Sequence, residues 1–282
     1  MDQLESKLKD ILSGLQLDIM DQFRQISRSQ DPNLKKVVSK TLSDNDAAYI
    51  IALGDAHLGS LFCNEKLFSE TINFILNTPN VYTILLGDLA ETATRTSIGL
   101  GIFDEKYHID KQLDVIVELL KPLADAGKIL GMVTGNHEYR IHVMSAVDPS
   151  KVIADRLGVE YFGYQAYYSF KVGGQSYSLV AWHGAGASCT KVSQMKAAEK
   201  LKDSVFADIY ISGHTHDRSY HDDDLNIIQD GELKRHRRHY IACGSYLEAN
   251  GGYAEMKGLT PSATGGVIIK LHSDKKDVTV TY

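Results

Sequence analysis

The sequence is short of cysteine, has no long apolar run and carries no basic excess, and each shortage removes a class of protein. Its three cysteines, Cys63, Cys189 and Cys243, are far apart and odd in number. They form neither a disulfide framework nor a Cys-x-x-Cys metal knuckle, which fits a reducing compartment. No apolar stretch reaches the roughly 20 residues of a membrane-crossing helix. The opening Met-Asp-Gln-Leu-Glu-Ser lacks the basic segment and apolar core of an export signal. The expected location is therefore cytoplasmic, with no membrane partner. Thirty basic against thirty-six acidic residues leave a net charge of −6, which argues against broad, unaided binding to nucleic acid but leaves room for a local basic groove. What is present is ordinary for a globular protein: 282 residues, 43% apolar and 23% charged, enough for one large α/β domain or two small ones.

Residues 2–26 place Leu4, Leu8, Ile11, Leu12, Leu15, Ile19, Phe23 and Ile26 at helical spacing with charges between them. Asp31-Pro32 reads as an N-cap followed by proline at the first helical position, opening a second helix to about Leu42. The expectation is a helical N-terminal extension over 1–46, packed on the main domain or serving as an arm for a homo-oligomer.

From residue 47 to 282 the pattern changes to short apolar runs rich in β-formers, separated by helical spacings. Ala48–Leu53, Val81–Leu86 and Ile129–Val133 read as buried strands, with helices over Glu65–Asn77 and Asp110–Ala126 between them. Helical crossovers between buried strands imply parallel pairing. Further on come a helix near Ser150–Leu157, a hairpin turning at Gly173-Gly174, a helix over 191–204 and a strand at Ile209–Ser212. The remainder reads as β-rich.

The polar residues that follow the strands carry the chemistry. They are Gly54-Asp55-Ala56-His57, Gly87-Asp88-Leu89-Ala90-Glu91, Gly135-Asn136-His137-Glu138, His183-Gly184 and Gly213-His214-Thr215-His216. In open α/β sheets the carboxyl ends of strands are where ligands bind. Packing does not require Asp-x-His and His-x-His at loop tips. Carboxylate, imidazole and amide donors together suit Mn²⁺, foremost, or Fe²⁺, Co²⁺, Ni²⁺ and Zn²⁺. Asp55, His57, Asp88, Asn136, His183, His214 and His216 exceed what one ion needs, so two ions sharing a carboxylate follow. Paired ions of that kind serve in-line phosphoryl displacement.

In their order and spacing these five stretches resemble the motifs of the calcineurin-like metallophosphoesterases, in particular the phage and bacterial exonuclease-like branch. The resemblance spans residues 54–216. It implies an α/β fold, a two-sheet β-sandwich flanked by helices, and hydrolysis by a metal-bridged hydroxide. It also implies roles: Asp55, His57 and His216 on one metal, Asn136, His183 and His214 on the other, and Asp88 between them. His137 matches the position that contacts phosphate and protonates the leaving oxygen, as an imidazolium with a pKa near operating pH would. Glu91 and Glu138 are expected to support these groups from behind.

The family's protein phosphatases carry an arginine after the Gly-Asp pair that clamps a phosphomonoester dianion. Here that neighbourhood is Gly-Asp-Leu-Ala-Glu, which favours a phosphodiester, including DNA or a nucleotide, over a phosphomonoester. A phosphomonoesterase or nucleotide pyrophosphatase and a non-catalytic metal-binding module are the alternatives. Arg95, Arg140, His142, Ser188 and Lys191 are candidate substrate contacts. The run Lys234–His239 reads as a phosphate-binding patch or as a hairpin face neutralised by Asp222-Asp223-Asp224.

Overall fold

The computed structural model describes residues 37–95, 97, 101–185, 196–248 and 263–282. The contact pattern divides the chain between Lys36 and Val37, and the architecture below is that of Val37–Tyr282. The helical reading of residues 1–36, and with it the oligomerisation arm, lies outside the described residues.

Among the described residues eleven strands form two sheets. Strands β2 (Ala48–Leu53), β3 (Val81–Leu85) and β4 (Ile129–Met132) are parallel, and β10 (Ile268–Leu271) and β11 (Val278–Thr281) extend their sheet antiparallel in the order β11-β10-β2-β3-β4. The second sheet runs β1-β5-β6-β7-β9-β8, from β1 (Val37–Ser43), β5 (Gln165–Val172), β6 (Gln175–Trp182), β7 (Ile209–Ser212), β8 (Arg218–Gln229) and β9 (Glu232–Cys243). Within it β6, β7 and β9 are mutually parallel.

Side-chain alternation sorts the strands into layers. Ile50 and Ala52 of β2 meet Tyr168, Phe170, Leu179, Ile211 and Ile241 of the other sheet in the central core. The alternate residues Ile51 and Leu53 face the opposite way, onto helices α1 (Glu65–Asn77), α2 (Ile109–Asp125) and α4 (Pro149–Leu157). A period of two puts one strand into two cores, which is why these strands read as continuous apolar runs. On the far face of the six-stranded sheet, Tyr210 and Tyr240 stack beneath a short 3-10 helix, Ala198–Asp203.

Three expectations are corrected. The stretch read as helix to about Leu42 is strand from Val37, paired parallel with β5 in register Val37↔Tyr167. Its residues alternate between exposed Val37, Ser39 and Thr41 and inward Val38 and Leu42, and with three β-branched side chains among them, Val37, Val38 and Thr41, this period overrides the upstream Asp-Pro signal. The helix expected over 191–204 is the 3-10 segment where it is described. Asn136, read as part of a turn, opens a helix, α3 (Asn136–Ser145), which the sequence reading missed because the segment has little apolar periodicity.

Candidate metal centre

The carboxyl edges of the parallel strands of both sheets meet at one place. Asp55 and His57 follow β2, Asp88 follows β3, and Asn136 opens α3 after β4. His183 follows β6, and His214 and His216 follow β7. The two sheets are tied together there by the side chain of Asp55, whose Oδ2 accepts the backbone N–H of His214 at 2.8 Å. Gly213 N–H donates to His183 O at 2.9 Å.

The side chains close a compact cluster. His183 Nε2 lies 3.2 Å from Asp88 Oδ2 and 2.9 Å from Asn136 Oδ1, and Asn136 Oδ1 is 2.7 Å from His214 Nδ1. On the other side His57 Nε2 is 3.2 Å from His216 Nε2, which is 3.3 Å from Asp55 Oδ1. Donor atoms of Asp55, His57 and His216 form one group within 4.8 Å of one another, and those of Asp88, His183 and His214 form another. A third group joins His57, Asp88 and His137, so Asp88 and His137 lie between the outer two.

This geometry is held in costly backbone. Asp55, His57, Asp88, His214 and His216 all have φ between 47° and 67°, a left-handed region that costs an L-residue roughly 1–2 kcal/mol each. Tertiary bonds hold them there: Asp55 N–H to Gly87 O, His57 N–H to Asp88 O, and Tyr246 N–H and Ser245 Oγ–H to Asp55 O. Two glycines let the loops approach. A Cβ on Gly135 would lie 2.1 Å from Asp88 Oδ1, and one on Gly87 would lie 2.2 Å from Gly135 N.

Behind the cluster stand the carboxylates expected to support it. Glu138 is fully buried and accepts the backbone N–H groups of Asp88, Leu89 and Ala90 at 2.8–3.1 Å, leaving neither oxygen turned to the cluster. Glu91 Oε2 meets His57 Nδ1 at 2.9 Å, fixing which ring nitrogen faces the site. Sequence reasoning missed Thr92 and Gln112. The Gln112 side chain, buried in α2, accepts Thr92 N–H at 2.9 Å, and Thr92 Oγ1 donates to His137 O at 2.7 Å. A buried glutamine on the apolar face of a helix was the one available signal.

Charge follows the geometry. Burial lowers the pKa of His57, but the hydrogen bond and charge of Glu91, with Asp88 and Asp55, outweigh it and raise the group to about 9. Burial likewise opposes His183, which Asp88 and Asp55 lift to about 10. Next to the carboxylates these two rings thus favour the charged form, and cations can fill the same role. Burial pushes Glu138 up to about 7, reinforced by Asp88. Burial also draws His137 down to about 4 despite Asp88, with His57 and Arg140 adding to the effect. This corrects the expected near-neutral titration of His137: the ring is enclosed and stands beside a guanidinium.

The residues fit a pair of divalent ions. The donor set is imidazole, carboxylate and amide oxygen, as borderline metals prefer. Asp55 Oδ1 is buried without a hydrogen-bond partner and points into the first group. With only the His216 ring near it, at 3.3 Å, a buried carboxylate oxygen of this kind is costly unless a cation meets it.

The candidate substrate contacts part ways. Arg140 lies beside His137, its Nη2 2.5 Å from His137 Nδ1, but its nitrogens are engaged by the loop: Glu91 O at 2.6 Å, Thr92 O at 3.1 Å and Ser97 Oγ at 3.1 Å. Arg95 is exposed. His142 sits two residues further along α3, its ring 6.0 Å from that of Tyr139. Ser188 and Lys191 lie outside the described residues. The basic run is neutralised across the β8–β9 ladder: Arg235 pairs with Asp224, Arg237 with Asp222 and Asp224 at 3.3 Å, and Arg238 with Asp223 at 2.6 Å. The self-compensated hairpin is the reading that these pairs support.

Residues 48–218 match the calcineurin-like phosphoesterase family, and the chain belongs to it. No curated protein matches the sequence. Among solved structures the chain is similar to a predicted phosphoesterase from Streptococcus pneumoniae, at 12% identity and a TM-score of 0.38, covering 83% of this chain and 97% of that one. Vps29 of Chaetomium thermophilum (10%, TM-score 0.37, 83% and 95%) and GAP50 of Plasmodium (10%, 0.43, 83% and 84%) are further matches. Among the described residues no helix is long and apolar enough to cross a membrane.

Proposed function

For this calcineurin-like phosphoesterase we propose hydrolysis of phosphodiesters, nucleic acid or nucleotides among them, at a centre of two divalent ions, Mn²⁺ foremost. Asp55, His57 and His216 would hold one ion, Asn136, His183 and His214 the other, and Asp88 both. When bound, such ions supply Lewis-acid charge for the attacking water and the phosphoryl oxygens.

The protein's own groups do the rest. Glu91 and Glu138 fix His57 and the Asp88 loop through the contacts above. His137 is set by three anchors: its N–H on Asp88 Oδ1 at 2.7 Å, its carbonyl on Thr92 Oγ1, and its Nδ1 on Glu91 O at 2.7 Å. That leaves Nε2, 4.0 Å from Asp88 Oδ2, as the atom we assign to the phosphoryl oxygens; an anionic substrate at Nε2 raises the ring's proton affinity, and the proton taken up there is the one we assign to the leaving group.

The observation that carries the diester reading is the pairing of Glu91 with an engaged Arg140. Burial raises the pKa of Glu91, but His57, His137 and Arg140 together bring it below the usual carboxylate range, so it is an anion beside the site. The neighbouring guanidinium is turned to the loop carbonyls. A phosphomonoester dianion would find no clamping arginine here and would feel this anion from behind His57, whereas a diester brings one charge fewer. The three separated cysteines, two of them buried and unpaired, suit work in the cytoplasm.

Mn²⁺-loaded protein is expected to hydrolyse bis(4-nitrophenyl) phosphate at least about tenfold faster, by kcat/KM, than 4-nitrophenyl phosphate, an advantage of about 1.4 kcal/mol. A preference for the monoester would overturn the assignment.

A further inference from the structure

Helix α3 does more than deliver Asn136 and His137. Successive turns of it present Asn136, Arg140 and Met144 along one stripe and Tyr139 and Val143 along the next, by the four-residue spacing of helical neighbours. Tyr139 is 40%, Val143 67% and Met144 64% exposed. Together with Thr94 and Ser97 of the facing loop, these two stripes line a cleft of about 450 Å³. A solvated helix face would carry polar residues there, and clustered exposed apolar side chains beside a cleft mark a binding surface.

We infer that this cleft is a nucleoside subsite, and that Tyr139, Val143 and Met144 receive the base of a nucleotide whose phosphate lies at the metal centre. The inference rests on the phosphodiesterase reading and names its substrate class. Asn136 belongs to both the cleft and the cluster, so an occupant of the cleft is joined directly to the reacting phosphorus. The volume falls in the range of pockets that hold a nucleoside-sized group. The lining also selects the class. Tyr139 offers an aromatic surface and packs edge-on to Tyr164 at 5.6 Å between ring centres, which steadies it as a stacking platform. Val143 and Met144 supply an adaptable apolar wall, while the Thr94 and Ser97 hydroxyls and Arg140 give the opposite wall a polar edge. A base has a π-face for Tyr139 and a polar rim for the other wall, where the Thr94 and Ser97 hydroxyls pair with each other at 3.1 Å and Ser97 accepts from Arg140 at 3.1 Å.

The test compares affinities on the full chain loaded with Mn²⁺, by titration calorimetry, for thymidine 5′-monophosphate and methyl phosphate. Stacking on an aromatic side chain predicts that the nucleotide binds about tenfold tighter. Tyr139→Ala and Met144→Ser should each bring that ratio toward one. Phe74→Ala, an exposed residue of α1, should keep it. A short oligothymidylate measured alongside separates the sources: the same loss for both ligands assigns the site to either, and a loss for one alone assigns it to that one. Equal affinities for nucleotide and methyl phosphate in the wild-type chain, or a ratio that survives Tyr139→Ala, would overturn the subsite. Hydrolysis of bis(4-nitrophenyl) phosphate is followed in the same preparations. Diester turnover with a ratio of one refutes the subsite alone, and a ratio of ten without diester turnover refutes the reaction instead.

Discussion

The carboxylate of Glu138 lies beneath the backbone of Asp88 and takes its N–H at 2.9 Å, with the next two amides on its other oxygen. A side chain from α3 thereby fixes the loop that presents the central carboxylate. Glu138→Ala would leave three buried donors without a partner. Each such loss costs about 1–3 kcal/mol, so unfolding in urea should show a destabilisation of about 3 kcal/mol or more. Metal affinity, measured by calorimetry, should fall with it. A variant as stable as wild type would remove Glu138 from this role.

Gly135→Ala tests the close approach of the same two loops. A methyl group 2.1 Å from Asp88 Oδ1 and 2.2 Å from Asp88 N meets backbone and a hydrogen-bonded carboxylate, neither free to move. The expected outcome is a loss of at least about 2 kcal/mol together with loss of metal binding. Gly127→Ala is the comparison: φ there is +65° with nothing within 4 Å, and the cost should be near 1 kcal/mol with metal binding intact.

Asp88 and His137 should separate by metal content. Asp88→Asn removes a charge shared by two groups of donors, and elemental analysis after gel filtration should find metal lost along with nearly all turnover. His137→Ala should keep its metal and lose turnover by about 10²–10⁴-fold. Metal-loaded Asp88→Asn that hydrolysed a nitrophenyl diester like wild type would sink the assignment. A chelator should also lower the melting temperature of the wild-type protein, because ions that bind only the folded state stabilise it.

His239 provides a pH dependence remote from the centre. The residue is 4% exposed, its ring stacked on Tyr220, and burial holds its pKa below 6.5, with Arg237 acting in the same direction and Asp222 against it. The unfolded chain therefore binds the proton more readily. The stabilisation is present above pH 6.5 and is lost as the pH falls toward the folded-state value. The urea midpoint of wild type should drop further between pH 7.5 and pH 5 than that of His239→Gln. Equal drops would show that the ring does not resist protonation.

The arginines of β9 should prove replaceable. Arg235 and Arg237 are exposed and paired with Asp224 and Asp222, and such surface pairs contribute about 0–1 kcal/mol. The double change Arg235→Gln, Arg237→Gln should alter stability by less than about 1 kcal/mol. It should also leave the salt dependence of any nucleic-acid binding unchanged. A slope shallower by one or two would restore the phosphate-patch reading.

Legibility in the sequence followed the range of the interaction. Ala48–Leu53 and Glu65–Asn77 are recovered residue for residue, because burial of both strand faces and of one helix stripe writes itself into adjacent residues. Strand β1 was not legible: its alternation spans seven residues, and its partner β5 lies more than a hundred positions downstream. Helix α3 was missed because it shields little apolar surface; its residues face a cleft and the candidate metal centre instead. Asp55, His57, Asp88, Asn136, His183, His214 and His216 were nameable one by one, since carboxylate, amide and imidazole groups at strand ends have few structural uses.

What the sequence by itself determined was the list of candidate donors and the strands that carry them, because residue type and local periodicity are written along the chain. Only the tertiary structure decided their grouping. Asp55 meets His216, 161 positions later, and His183 meets Asn136 across two sheets, through left-handed turns that long-range hydrogen bonds hold against their intrinsic cost. It also decided that Arg140 serves the loop, that Glu138 serves the backbone, and that the basic run is neutralised by the strand beside it. Those outcomes depend on which groups lie within about 3 Å of one another, and no reading of one stretch at a time contains that distance.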